Sequence, residues 1–242
     1  MELSSTIRML GDLLGRVIAE QESQPIFDLE ARIRQLAKDR REGCPEADRG
    51  LQDAMSGLSA AEARSIAMAF TLYFDLVNLA EEHVRMERVR LKREDRYPDP
   101  IPESIGEAVA QLRERGVDVD EMRHLLDDLD IELVLTAHPT EAKRRSVLSH
   151  LREVGDLLRT YERAGEEERE KIRSRLYAEV MILWLISRSR TMKPEVTDEV
   201  RTGLYFIDTV FWTVLPRLYD DLERALARFY PEIRMNGGKP WI

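Results

Sequence analysis

The sequence predicts a mainly α-helical protein, a packed array of long amphipathic helices with one short β-strand at residues 131–136. Apolar residues recur at spacings of three and four through most of the 242 residues, which is the pattern of helices with one buried face. Hydrophobic residues make up 43% of the chain and charged residues 34%, with only 12 Gly and 10 Pro. That composition fits a helix-rich globular protein rather than a β-sandwich or a disordered chain, and the length allows one large or two small domains.

The predicted helices follow one another with few interruptions. Three prolines in YPDPIPES (97–104) cannot continue a helix and predict a surface connection near residues 93–103. A short helix then ends at Gly116, and Asp118 or Asp120 caps the next one. The apolar positions that define the longer helices are Ile7, Leu10, Leu14 and Val17; Leu29, Ile33 and Leu36; Ile66, Phe70, Tyr73, Val77, Ala80 and Val84; Val147, Leu151, Val154, Leu158 and Tyr161; Ile172, Leu176, Val180 and Leu183; and Leu204, Ile207, Phe211, Val214 (or Leu215), Leu218 and Leu222.

The segment IELVLT (131–136) is a compact β-favouring run that is too short for an ordinary helix. A single strand cannot pair with itself, so its backbone donors and acceptors need partners elsewhere. Either it joins a sheet formed by sequence outside this chain, or it is an extended loop lying against the helices. The first alternative makes the chain part of something larger.

Charge and cysteine content exclude several classes of function. The net charge of −9, from 37 basic and 46 acidic residues, argues against nonspecific nucleic-acid binding, because phosphate backbones attract basic surfaces. The single cysteine, Cys44, excludes an intrachain disulfide and a multi-cysteine metal site. The N-terminus lacks the pattern of a secretory signal, and the longest apolar run, residues 180–186, is far shorter than the roughly 20 residues of a spanning helix. We therefore expect a cytoplasmic protein without membrane or nucleic-acid partners.

The segment TAHPTEAKRRS (136–146) carries the candidate site. Pro139 fits the first position of a helix, and Glu141 falls in the first turn, where negative charge is favourable. His138 would then lie at the carboxyl end of the strand, where barrel and open α/β enzymes place their chemistry.

Arg144 and Arg145 follow one to two turns later and are candidate substrate-binding residues, because the planar guanidinium matches carboxylate and phosphate geometry. Together with His138, which titrates near neutrality, they suggest general acid/base work on an anionic substrate. The alternative is a simple helix cap followed by a solvated basic face. For the other histidines, His83, His124 and His150, the sequence favours surface or boundary roles.

The sixteen residues LVLTAHPTEAKRRSVL (133–148) closely resemble the histidine signature of the phosphoenolpyruvate carboxylase family, a Thr-Ala-His-Pro-Thr-(Glu/Gln) core followed by paired arginines. MLGDLLGRVI (9–18) resembles the opening helix of that family, and the segment 184–216 resembles its tryptophan-led segment. The resemblance spans essentially the whole chain. The matching positions in the last segment are Trp184, Arg190, Pro194, Asp198, Glu199, Gly203 and Trp212.

The chain also departs from that family. Many members have Thr-Asp-Glu after the first tryptophan, whereas this chain has Ile186, Ser187 and Arg188, so any role of the acidic pair is in doubt here. Family members are several-fold longer, and their Gly-Gly-Asp-Arg-Asp-Gly-Asn-Pro loop is not present. The segment NGGKPWI (236–242) lacks its acidic and arginine positions.

The resemblance implies an enzyme that uses Mg²⁺ or Mn²⁺ to add bicarbonate to phosphoenolpyruvate, giving oxaloacetate and phosphate through carboxyphosphate and an enolate. His138 would be the catalytic residue that takes a proton from carboxyphosphate, and the metal ligands would lie outside this chain. The family fold is an α/β barrel wrapped in helices, to which strand 131–136 would belong. Intact members are usually homotetramers controlled by metabolites.

Three hypotheses follow from these features. The first is the N-terminal helical portion of a phosphoenolpyruvate carboxylase, residues 1–242, which supplies the histidine but is inactive alone because the metal and phosphate groups are missing. The second is a free-standing helical interaction or regulatory protein derived from that enzyme. The third is a small-anion-binding helical module that uses Arg144 and Arg145.

Overall fold

A computed structural model of the protein describes residues 2–132, 143–186 and 196–234. The fold is mainly α, as predicted, and no β-strand occurs within these residues. The helices are α1 (Leu3–Gln21), α2 (Gln24–Arg41), α3 (Ala47–Ser56), α4 (Ala60–Arg96), α5 (Ile105–Glu114), α6 (Val119–Asp128), α7 (Arg145–Arg163), α8 (Glu166–Leu185), α9 (Val196–Phe206) and α10 (Trp212–Phe229), with a π-helical stretch, Ile207–Phe211, between the last two.

The described residues form two compact units. The first unit comprises residues 2–87 and 143–186, and the second comprises residues 88–132 and 196–234. No helix in the described part of the chain is both long and apolar enough to cross a membrane.

The core of the first unit is formed by one apolar face from each of α1, α4, α7 and α8. Helix α8 packs against α7 and α1, and α2 lies between α1 and α3. The faces predicted for α7 and α8 are confirmed, because an uninterrupted three- and four-residue spacing fixes which side of a helix is apolar. The residues that fill this part of the core are Val147, Leu151, Val154, Leu158, Ile172, Leu176, Val180 and Leu183.

The buried face of α4 differs from the prediction. Ala69, Leu72 and Leu76 are buried, whereas the predicted Phe70 and Tyr73 are only partly covered. Small and aliphatic side chains let neighbouring helices approach closely, so the larger rings lie at the border of the core. The predicted Ile66, Ala80 and Val84 are buried, so the prediction is confirmed at both ends of the series and wrong in its middle.

Helix α2 carries a buried carboxyl group. Glu30 is only 3% exposed, and a guanidinium nitrogen of Arg34 lies 3.8 Å from Glu30 Oε2. Burial raises the pKa of Glu30 above its ordinary value, because removal from water disfavours the charged form, while Arg34 opposes that shift. The folded protein therefore takes up this proton at a higher pH than the unfolded chain does.

We expect Glu30→Gln to raise the free energy of unfolding at pH 7 and to have a smaller effect at pH 4. The contribution of Glu30 to stability is highest below its ordinary pKa of 4.5 and falls as pH rises from there through the raised folded-state pKa. Urea unfolding of both proteins at the two pH values measures this difference. The exposed Glu82→Gln is the matched control, and an equal effect of Glu30→Gln at both pH values would contradict the prediction.

The second unit has its own small core between α5, α6 and the C-terminal half of α10. Met122, Leu226 and Tyr230 are almost fully buried there, and the Tyr230 hydroxyl donates to the Val117 carbonyl at 3.1 Å. Asp118 is the cap of α6: its carboxylate accepts from the backbone of Asp120 and Glu121 while the Glu121 side chain accepts from the Asp118 N–H. This resolves the two alternatives of the sequence prediction.

Residues 97–104 connect α4 and α5, which corresponds to the surface connection expected near residues 93–103. Arg228 of α10 donates to the Asp99 carboxylate at 2.6 Å and to the Pro98 carbonyl. Ile101 is buried while most of its neighbours are exposed. The connection is therefore tied to α10 within the second unit.

Two further predictions, the strand at residues 131–136 and the buried face of the last helix, are not confirmed by the described residues. Ile131 and Glu132 are exposed and belong to no regular element, and the rest of the predicted strand, residues 133–136, lies outside the described residues. For the last helix, the predicted buried series is largely exposed: no residue from 196 to 224 whose side chain is described is buried. The apolar residues do lie in helical segments at the predicted spacing, but no described residue of the second unit covers that face.

Candidate functional site

The described part of the candidate site is the N-terminal end of α7 and the two residues before it. Lys143 belongs to no regular element, Arg144 has extended backbone, and the helix begins at Arg145. The helix start predicted at Pro139 lies outside the described residues. Arg145 is therefore the first residue of α7 and Arg144 is its N-cap, whereas the sequence predicted both one to two turns inside a helix.

The N-terminal end of α7 carries three consecutive basic residues, Lys143, Arg144 and Arg145. The first turn of the helix contains no acidic residue, and the N-cap side chain makes no capping hydrogen bond. Arg144 is half-buried and Arg145 is exposed. An anion beside the positive end of a helix dipole is stabilised. Binding of a substrate anion by Arg144 and Arg145 stays a prediction.

One of these cations is already engaged with the core. Lys143 Nζ donates to Asp75 Oδ1 at 2.6 Å, and the Asp75 side chain is 7% exposed within α4. This ion pair joins positions 68 residues apart and fixes the chain just before α7. One sequence signal hints at this pair, because the charged Asp75 lies on the apolar face of α4 directly before the buried Leu76.

His138 lies outside the described residues, together with the whole range 133–142. The catalytic role assigned to His138 stays a prediction.

The other histidines have distinct surroundings. His150 is half-buried, and its Nδ1 lies 2.7 Å from Glu179 Oε2, which joins α7 to α8. His124 is exposed, as expected. His83, by contrast, is 5% exposed, with its Nε2 3.4 Å from Glu162 Oε2, so the expectation of a surface or boundary role was wrong for it. It falls on the buried side of α4, three residues beyond Ala80.

The tryptophan-led segment divides between core and surface. Trp184 is 3% exposed in the core of the first unit, whereas Trp212 is 78% exposed at the start of α10. Asp198 pairs with Arg201 at 3.4 Å on the exposed side of α9. Arg190 and Pro194 lie outside the described residues.

Comparison with known proteins decides the family. The family model described as phosphoenolpyruvate carboxylase matches residues 3–240. The chain belongs to the phosphoenolpyruvate carboxylase family. The resemblance of the histidine segment and the tryptophan-led segment is thereby supported over nearly the whole length.

Curated relatives named phosphoenolpyruvate carboxylase show the same relationship. The protein from Roseiflexus castenholzii is 42% identical over 234 residues, which cover 95% of this chain and 25% of that protein. The protein from Thermus thermophilus is 38% identical over 230 residues, 94% of this chain and 26% of the relative. The protein from Rhodothermus marinus is 35% identical over 232 residues, 94% and 25% respectively. The chain therefore spans about a quarter of the length of these carboxylases.

The described residues do not fit the divalent metal that the family resemblance implies. Within residues 2–132, 143–186 and 196–234, no group of three or more His, Cys, Asp or Glu side chains is arranged to hold a metal ion. Hence no step of the chemistry is assigned to a metal held by these residues. The departure at Ser187 and Arg188 also lies outside the described part of the chain.

Proposed function

We propose that this chain is the N-terminal helical part of a phosphoenolpyruvate carboxylase, which converts phosphoenolpyruvate and bicarbonate to oxaloacetate and phosphate, and that it supplies the catalytic His138. The observation that carries the proposal is the family match over residues 3–240, which includes the whole histidine segment. The chain spans only a quarter of its curated relatives, so we propose that it is inactive alone. The resemblance further implies a cytoplasmic homotetramer with Mg²⁺ or Mn²⁺ held outside this chain.

His138 acts as a general base in this proposal. Bicarbonate attacks the phosphorus of phosphoenolpyruvate, which gives carboxyphosphate and the enolate of pyruvate. The imidazole takes the carboxyl proton of carboxyphosphate, the bond between its carboxyl carbon and the bridging oxygen breaks, and carbon dioxide and phosphate form. The enolate carbon then attacks carbon dioxide, which yields oxaloacetate.

The flank of the histidine segment supports such a role through position and charge. The Lys143–Asp75 ion pair anchors the chain to α4 at the C-terminal end of the histidine segment. Arg144 and Arg145 add positive charge within two residues of that anchor and would attract the phosphate and carboxylate groups of the substrates.

A chimera tests the proposal. The matching 234 residues of the Roseiflexus castenholzii carboxylase are replaced by this chain, and oxaloacetate formation from phosphoenolpyruvate and bicarbonate is measured for the chimera and for the isolated chain. We expect carboxylation by the chimera and none by the isolated chain. A soluble, assembled chimera without activity would count against the proposed function, and oxaloacetate formation by the isolated chain would contradict its proposed inactivity.

A further inference from the structure

The first turn of α7 lacks the features that usually fix the start of a helix. Its N-cap side chain makes no capping hydrogen bond, and no acidic residue lies in the turn. Burial does not fix it either, because none of residues 143–146 is buried and the first core residue of α7 is Val147. The two candidate substrate-binding residues, Arg144 and Arg145, lie in this uncapped stretch. Their position therefore depends on polar contacts on either side of them.

The ion pair between Lys143 and Asp75 is the contact on the N-terminal side. Lys143 Nζ lies 2.6 Å from Asp75 Oδ1, and the Asp75 side chain is only 7% exposed. Asp75 belongs to α4, where the nearby Leu72 and Leu76 are 0% and 1% exposed in the core of the first unit. A carboxylate at such a depth is costly to leave without a cation, so the pairing is strongly favoured. The chain directly before Arg144 is therefore held against a fixed point of the core.

A second polar contact lies on the C-terminal side of the arginines. His150 Nδ1 lies 2.7 Å from Glu179 Oε2, and this contact joins α7 to α8. At a rise of 1.5 Å per residue, His150 is about 7.5 Å along the helix axis from Arg145. The arginines thus lie between contacts to two different helices of the same unit. The contact to α4 is the nearer one along the chain, because Lys143 directly precedes Arg144.

We propose that Asp75 is a positioning residue for Arg144 and Arg145. By holding Lys143, it fixes the start of α7 and with it the two arginines. The inference rests on the proposed function, because it takes the arginines as ligands of the phosphate or carboxylate group of the substrate. Asp75 does not contact the substrate in this proposal, since its own negative charge repels an anion. It favours anion binding through geometry and opposes it through charge, and these two effects can be separated.

Two substitutions that break the ion pair from opposite sides test the proposal in the carboxylase chimera. Asp75→Asn removes a negative charge near the arginines, whereas Lys143→Ala removes a positive one. If charge alone mattered, KM for phosphoenolpyruvate would fall in the first variant and rise in the second. If the position of the arginines matters, KM rises in both. We expect each variant to raise KM by about tenfold and to change kcat by less than about twofold, because substrate binding is lost and the chemical step is not.

The matched control is Glu153→Gln, which breaks the 2.7 Å ion pair between Glu153 of α7 and Arg175 of α8 and leaves both contacts beside the arginines intact. It should not change KM. An unchanged or lower KM in the Asp75→Asn chimera would overturn the proposal, and so would an equal rise of KM in the control. A loss of kcat at constant KM would also overturn it, because that result indicates a smaller folded fraction.

Amide hydrogen exchange of the isolated chain, followed by NMR, separates this proposal from the proposed function. The Leu148 N–H donates to the Arg144 carbonyl at 3.0 Å and reports on the first turn of α7, whereas Leu158 reports on its buried half. We expect Asp75→Asn to speed exchange at Leu148 by about tenfold and to leave Leu158 unchanged. Unchanged exchange at Leu148 would overturn the positioning role whatever the activity of the chimera. Faster exchange beside an inactive chimera rejects the proposed function and retains Asp75 as the residue that fixes the helix start.

Discussion

His138→Asn in the carboxylase chimera should lower kcat for oxaloacetate formation by about 10²- to 10⁴-fold, the range expected when a general acid/base group is lost. Asparagine retains a side chain of similar size that can hydrogen-bond, but it cannot accept the proton of carboxyphosphate. KM for phosphoenolpyruvate should change little, because the arginines at the start of α7 are left in place. Steady-state kinetics of the two chimeras measure both quantities.

The matched control is His124→Asn, which changes an exposed histidine of α6 by the same atoms. It should leave kcat and KM unchanged. Circular dichroism and the oligomeric state of each chimera show whether a loss of activity reflects misfolding. Near-normal turnover by the His138→Asn chimera would rule out the proposed proton transfer.

The features of the fold that depend on one local sequence signal could be predicted. The faces of α7 and α8 follow from spacing alone, and a carboxylate cap of α6 was expected at Asp118 or Asp120, of which the structure selects Asp118. The face of α4 could not be predicted as well. Its choice between Tyr73 and its neighbour Leu72 depends on how closely the other helices approach, which is a tertiary property.

Less of the candidate site than of the fold could be predicted from the sequence. The sequence singles out His138 and the basic residues after it, but it does not predict that Lys143 and Arg144 are non-helical and that α7 begins at Arg145. The Asp75–Lys143 ion pair had no sequence signal beyond one charged residue on an apolar face, since its members are 68 residues apart. Likewise, periodicity predicts that the apolar series of the last helix, from Leu204 to Leu222, is buried but contains no information about what buries it.

Replacement by alanine should destabilise the protein strongly at one tryptophan of the family-like segment and very little at the other. Trp184→Ala removes a ring that is 3% exposed among the core residues of α1, α4, α7 and α8. We expect it to lower the free energy of unfolding by about 3–5 kcal/mol, because the lost contacts and the remaining cavity both cost stability. Urea unfolding of the isolated chain, followed by far-ultraviolet circular dichroism, measures the change.

Trp212→Ala is the natural control, because it deletes the same atoms from a ring that is 78% exposed. In the isolated chain it should change the free energy of unfolding by no more than about 0.5 kcal/mol, as surface substitutions generally do. Similar costs for both substitutions would mean that Trp212 is covered in solution, contrary to the structure. Since both positions match the family segment, a difference would separate a tryptophan that stabilises the core of the first unit from one that the described residues leave exposed.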